Sequence, residues 1–165
     1  MSDDGYSCYD TSFGLVAVKA YPGEYTWEDA VKKCSEDGTN GVNGELPAPR
    51  SSVENHWFVD KANELGLSQF WLGVNDKDQE GEWRNHRGFT QRFFNWAPNE
   101  PNNKGKNSTV AHCGKAGGEY GKTWDDDSCK LVKKHLMCTY VATGGQFNRN
   151  FLSFYFLPLA LSALT

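Results

Sequence analysis

The sequence predicts an α+β fold, and three features of it do so. Two amphipathic helical segments come early, near residues 26–37 and 52–65. The helical period then disappears after residue 68, where Phe70-Trp71-Leu72-Gly73-Val74 forms a compact apolar run of the kind a buried strand requires. A last strand-like segment, Lys134 to Val141, follows a long stretch rich in loop-forming residues. Helices of about twelve residues are marginal alone, so both must pack on the strands.

Each element has a local cause. Thr26 caps the first helix, with Asp29 three residues on, and Trp27, Ala30, Val31 and Cys34 fall on one stripe at i, i+3, i+4 and i+7. Gly38 ends it. A loop through Asn43-Gly44 follows. Ser51 and Glu54 have capping-box spacing for the second helix, whose expected buried face is Val53, Trp57, Phe58, Ala62 and Leu65; Gly66 stops it. From Asn75 to about Thr123 the chain is dense in Asn, Gly, Asp, Lys and Pro, interrupted by short strand candidates at Glu82–Arg84 and Thr109–Cys113. So much loop within a compact domain points to function.

With 165 residues there is room for one domain and short extensions. The formal charge of −4 and the absence of a basic stripe exclude a nucleic-acid partner from the expectations, and the short run Lys133-Lys134-His135 reads as a solvated strand edge. The five cysteines, Cys8, Cys34, Cys113, Cys129 and Cys138, include no CxxC pair, which leaves redox and zinc-finger patterns unsupported. Four can form two disulfides, and the fifth stays free or pairs with another chain. Disulfides imply an oxidising compartment. Met1-Ser2-Asp3-Asp4-Gly5 lacks the pattern of a secretory signal, so either a signal has been removed or the thiols are free in the cytosol; a secreted or extracellular protein is the expectation. Ala142-Thr143-Gly144-Gly145 looks like a linker, and Phe151 to Thr165 is almost wholly apolar. That tail is shorter than the ~20 residues of a membrane helix; it reads as disordered or as a glycolipid-anchor signal.

Two segments suit a hard cation, which needs several oxygen ligands and carboxylates to offset its charge. In Asn99-Glu100-Pro101-Asn102-Asn103 a carboxylate and amides surround a proline. A cis Glu100–Pro101 bond would put both neighbouring side chains on one side of a tight turn. In Trp124-Asp125-Asp126-Asp127-Ser128-Cys129 three carboxylates follow an aromatic anchor. Strand residues alternate faces, so all three are not expected to act as ligands.

In order, these features (two helices, Trp71-Leu72-Gly73-Val74, Glu80-Gly81-Glu82-Trp83, Asn95-Trp96, Glu100-Pro101-Asn102, Cys113, Trp124-Asp125-Asp126, Cys129, Cys138) resemble a C-type lectin carbohydrate-recognition domain. The resemblance covers residues 8–141, leaving 1–7 as an extension and 142–165 as linker and tail. It implies two helices packed on small antiparallel sheets with a long calcium-binding loop region, and disulfides Cys34–Cys138 and Cys113–Cys129. It also implies a principal Ca²⁺ site at Glu100, Asn102, Asp125 and Asp126. There two vicinal sugar hydroxyls join the metal shell and hydrogen-bond to the same side chains. A carboxylate only accepts and an amide NH₂ donates, and Glu-Pro-Asn implies mannose-type sugars (mannose, fucose, N-acetylglucosamine). The expected partners are glycans on cell surfaces or glycoproteins. Cys8 resembles the second cysteine of the family's N-terminal hairpin and offers a route to a homo-oligomer.

Two departures from the family pattern bear on the site. Asp125 stands where the family usually has asparagine, and Ala111-His112 stands where a glutamate usually precedes the cysteine. The count of three carboxylates is kept while one ligand is lost. Because Asp125 accepts where asparagine would donate, galactose-type binding remains an alternative, as does a calcium-independent lectin-like domain that binds protein. An auxiliary Ca²⁺ site maps onto Asp76, Glu80 and Asn103, and is expected to be weak because His112, at the fourth position, is a poor ligand for a hard ion. Glu119 is a conceivable substitute ligand. Asn107-Ser108-Thr109 is an N-glycosylation sequon beside the site. The tryptophans are expected in the core. Scattered histidines and the lack of a nucleophile motif give no enzyme.

Overall fold

The structure, a computed structural model, describes residues 6–11, 14–38 and 43–142. Its elements are β1 (Tyr6–Thr11), β2 (Gly14–Tyr25), α1 (Trp27–Glu36), α2 (Ser52–Glu64), β3 (Gln69–Asn75), β4 (Arg84–Asn85), β5 (Cys113–Gly117), β6 (Trp124–Asp127) and β7 (Lys134–Ala142). Ala142 closes β7, and the rest of the expected linker and apolar tail lies outside the described residues. Among the described residues, no helix is long and apolar enough to cross a membrane.

The helix caps form as their residues require. The Thr26 hydroxyl accepts the Asp29 N–H at 3.2 Å and donates to the Asp29 carboxylate at 2.7 Å. Ser51 Oγ accepts the Glu54 N–H at 3.2 Å, while Glu54 Oε2 accepts the Arg50 N–H at 2.7 Å. Gly66, at φ +74°, takes the left-handed conformation that ends α2 cheaply only for glycine.

The expected face of α2 needs correction. Val53 is 64% exposed, and the buried residues are Glu54, Asn55, Phe58, Val59 and Ala62. Two polar side chains take places that hydropathy would have filled with carbon, because each is satisfied there. Glu54 binds the Arg50 guanidinium at 2.6 Å. Asn55 Oδ1 accepts the Trp124 indole N–H at 2.6 Å, and its amide donates to the Lys122 carbonyl at 2.7 Å.

The strands form one mixed sheet in the order β1-β2-β7-β3-β5-β6, with β4 paired to β3. Its pairs are antiparallel except β3–β7, which meet in parallel at Phe70 and His135 and so join what would otherwise be two smaller antiparallel sheets. β7 therefore lies between β2 and β3, and of Lys133-Lys134-His135 only Lys133, which precedes β7, is exposed. Lys134 is half-buried, donating to Gln69 Oε1 at 2.8 Å with Asp127 at 3.6 Å. The reason is β2, whose antiparallel register with β7 covers the side that the sequence leaves open.

Side chains alternate along β3, and both faces are buried. Phe70, Leu72 and Val74 join Phe58, Val59, Trp124 and Met137. Trp71 joins Trp27, Ala30, Leu46, Leu136 and Tyr140. Burial on both faces is why β3 reads as a continuous apolar run rather than as an alternation. Each fully buried large apolar side chain contributes about 1.5–3 kcal/mol. The Cys34–Cys138 disulfide ties α1 to β7 with Cα atoms 5.4 Å apart, and Cys113–Cys129 ties β5 to the segment after β6 at 5.3 Å. These are the pairs that the resemblance implied.

Candidate functional site

The site is built outward from Trp124. This residue is fully buried, its indole N–H is held by Asn55, and its ring meets Phe93 and Trp96 edge-on at 5.7 and 5.5 Å. Fixing Trp124 fixes the three aspartates that follow it on β6. The facing loop is turned at both ends by asparagines in the left-handed region, Asn99 (φ 69°) and Asn103 (φ 57°), which asparagine tolerates better than most residues. The Glu100–Pro101 peptide between them is cis. The loop is anchored to β6 twice. Ala97 N–H donates to the Trp124 carbonyl at 2.8 Å, and the buried Asp126 carboxylate accepts the backbone N–H groups of Asn102 (3.0 Å) and Asn103 (2.8 Å).

This clamp brings the four predicted principal residues together. Carboxylate oxygens of Glu100, Asp125 and Asp126 all lie within 4.8 Å of one another. Asn102 Nδ2 donates to Glu100 Oε1 at 2.8 Å, so the side chains on either side of Pro101 share one side of the loop. Glu100 Oε2 is buried with no hydrogen-bond partner. Burial raises the Glu100 carboxyl, and the neighbouring Asp125 and Asp126 raise it further, to about 7. Chemically this is a pocket of acceptors with crowded negative charge and an unsatisfied oxygen, a donor set that fits a hard cation. Asp127 is not part of it. Its carboxylate accepts from Lys115, the Ser128 N–H (2.9 Å) and the Lys106 N–H (3.3 Å), and these hold its pKa down against the opposing effect of burial.

Lys115 is the residue that sequence reasoning missed. Nearly buried, it places Nζ 2.9 Å from Asp125 Oδ2 and 2.8 Å from Asp127 Oδ2. Burial alone would lower the pKa of this ammonium, but the two carboxylates outweigh it and raise the value. The signal was present only as a cross-strand pair, because Lys115 faces Asp125 in the β5–β6 register. The sequence does not state a register.

The predicted auxiliary residues also meet. Asp76, Glu80 and His112 place ligand atoms within 4.8 Å of one another, and Asn103 Nδ2 donates to Glu80 Oε2 at 2.7 Å. Burial, and then the Asp76 charge, raise the pKa of Glu80. Glu119 is exposed in a short 3₁₀ turn, Gly118–Tyr120, outside both groups. Asn107 is exposed in the turn Lys106–Ser108. Trp27, Trp71, Trp83 and Trp124 are buried, and Trp96 packs on Trp83 at 4.6 Å, so these five tryptophans belong to the core.

Comparisons with known proteins place the chain in a family and a fold. The profile of the family described as "Lectin C-type domain" matches residues 23–140. The mouse protein "C-type lectin domain family 3 member A" is 30% identical over 136 residues, which is 81% of this chain and 60% of that protein. This chain thus spans less than two thirds of that relative's length. Among solved structures, the cow CD23 carbohydrate-recognition domain, determined in the presence of a GlcNAc2Man3 oligosaccharide, has a TM-score of 0.68 at 22% identity, covering 87% of this chain and 98% of that one. A calcium-independent type II antifreeze protein has a TM-score of 0.66 at 21% identity, covering 86% and 95%.

Proposed function

Because the chain belongs to the C-type lectin domain family, we propose that it is a calcium-dependent sugar-binding module of the mannose type. The observation that carries this reading is the convergence of Glu100, Asp125 and Asp126 oxygens within 4.8 Å, with Glu100 Oε2 buried and unpartnered. Such a group is destabilised by its own charge, and a divalent ion would relieve it. Glu100, Asn102, Asp125 and Asp126 would hold Ca²⁺, which supplies the electrostatic grip on vicinal hydroxyls. Glu100 would accept and Asn102 donate to those hydroxyls, as equatorial 3- and 4-hydroxyls of mannose-type sugars require. The module binds rather than catalyses.

Two disulfides support an extracellular setting. One shallow site binds weakly, so useful avidity needs several, and Cys8 is a route to a disulfide-linked dimer. A glycan at Asn107 would crowd the sugar site. Residues 8–141 are taken as the binding unit.

A second reading, a calcium-independent lectin-like domain, is favoured by two observations. Lys115 already neutralises part of the Asp125 and Asp127 charge, and the fold neighbours include a protein described as calcium-independent. A glycan array run with calcium and with chelator separates the two. Chelator-sensitive binding to mannose, fucose or N-acetylglucosamine supports the proposal. Galactose-selective binding would assign the alternative specificity to Asp125, and binding unchanged by chelator overturns the role of calcium.

A further inference from the structure

A second convergence of ligand atoms is present among the described residues, and its chemistry differs from that of the first. His112 Nδ1 lies 3.0 Å from Asp76 Oδ1 and 3.5 Å from Glu80 Oε2. Calcium takes oxygen ligands, and here a nitrogen stands among the three ligand atoms that meet. Asn103, the amide expected to lend an oxygen, already uses one acceptor position of it: Oδ1 accepts the Ala111 backbone N–H at 3.2 Å. A backbone N–H can only donate, so the oxygen must face Ala111. The NH₂ is thereby turned to Glu80 at 2.7 Å. The His112 carbonyl likewise accepts the Asp76 N–H at 3.1 Å. The groups that converge are one imidazole nitrogen and two carboxylates, a mixed set that suits borderline metals rather than hard ones.

From this we infer that Asp76, Glu80 and His112 form a site for a zinc-class divalent ion in place of the family's auxiliary calcium. Zinc–nitrogen and zinc–oxygen bonds of about 2.0–2.1 Å in a tetrahedron set neighbouring ligand atoms roughly 3.3 Å apart, and the two distances from His112 straddle that value. The supporting shell is in place. The Gly81 N–H donates to Asp76 Oδ2 at 2.8 Å and Asn103 to Glu80, orienting both carboxylates while leaving Asp76 Oδ1 toward His112. Asp76 is almost wholly buried, whereas the His112 and Glu80 side chains are 30% and 57% exposed, so the fourth position opens to water on their side. The ion would link the segment after β3 to the residue preceding β5.

This inference stands without the sugar-site reading, and its test keeps the two apart. The full chain, stripped with chelator, is titrated with Zn²⁺ by calorimetry in the presence of excess Ca²⁺, alongside His112→Ala, His112→Asp and Glu100→Gln, each checked for folding by circular dichroism. The expected result is one Zn²⁺ per chain that excess Ca²⁺ does not displace. Affinity should fall on the order of a hundredfold or more in His112→Ala, since even the loss of a supporting group costs about 10–100-fold. Glu100→Gln should keep its zinc, and His112→Asp should exchange zinc preference for calcium. Equal zinc affinity in the wild type and His112→Ala, or displacement of zinc by equimolar calcium, overturns the assignment.

Discussion

Lys115 and Asp125 face each other across the β5–β6 register with Nζ 2.9 Å from Oδ2, so a fixed cation holds one carboxylate of the candidate calcium site. The same ammonium holds Asp127 at 2.8 Å. A count of three carboxylates in the sequence therefore overstates the negative charge available to a metal.

Weakening this ion pair should strengthen calcium binding. Lys115→Gln, which keeps a donor for one of the two carboxylates, is expected to raise calcium affinity several-fold at low salt, as read by calcium titration. Lys115→Ala should instead destabilise the fold by about 3–5 kcal/mol, the usual cost of leaving a buried partner unpaired, as read by denaturant unfolding. Unchanged calcium affinity in Lys115→Gln would mean that Asp125 is not a ligand.

The raised Glu100 carboxyl gives a pH dependence whose sign is fixed. Its folded value of about 7 lies above the ordinary 4.5, so its contribution to stability is full below 4.5 and is lost as pH rises through 7. In chelator, the melting temperature should fall between pH 5 and pH 8 relative to Glu100→Gln. Calcium binds the ionised group and should give its larger stabilisation at pH 8. Sugar should correspondingly be released on acidification. A melting temperature in chelator with the same pH slope in both proteins would contradict this.

Much of the architecture was legible in the sequence, for identifiable reasons. Thr26 and Ser51 announced their helices because capping is local chemistry. Phe70 to Val74 announced β3 because both its faces are apolar. What escaped depended on pairing between distant segments. β2 contains the buried residues Val16, Ala17 and Val18, yet its role as the cover of β7 follows only from register. The same holds for Glu54 and Asn55, which are buried because Arg50 and Trp124 satisfy them. At the site, the residue types of both candidate ligand groups were readable, but Lys115 was not, since a lysine two positions after a cysteine gives no sign of the strand it will face.

Asn55 connects core and site, since it accepts from Trp124 and donates to the Lys122 carbonyl. Asn55→Leu is expected to cost about 1–3 kcal/mol by leaving the indole N–H buried without a partner. It should also weaken calcium binding through the displaced β6. Chemical denaturation combined with calcium titration checks both effects, and a stability loss with unaltered calcium affinity would detach Trp124 from the site.

The two disulfides should differ in weight. Cys34–Cys138 spans 104 residues and Cys113–Cys129 spans 16. On the chain-entropy account these correspond to about 4.7 and 3 kcal/mol. Replacing Cys34 and Cys138 together by alanine should therefore lower stability more than replacing Cys113 and Cys129, whereas the latter pair should cost more calcium affinity because it borders β6. Unfolding curves with calcium titrations for the two double variants test this ordering.

The most direct test is calorimetric titration of the chelator-stripped full chain with Ca²⁺, with and without saturating mannose. Saturable calcium heat in the millimolar range or below, lost in Asp126→Asn and strengthened by mannose, is the predicted result. The absence of calcium heat at millimolar concentration, with mannose or any other sugar binding equally well in chelator, would contradict the account.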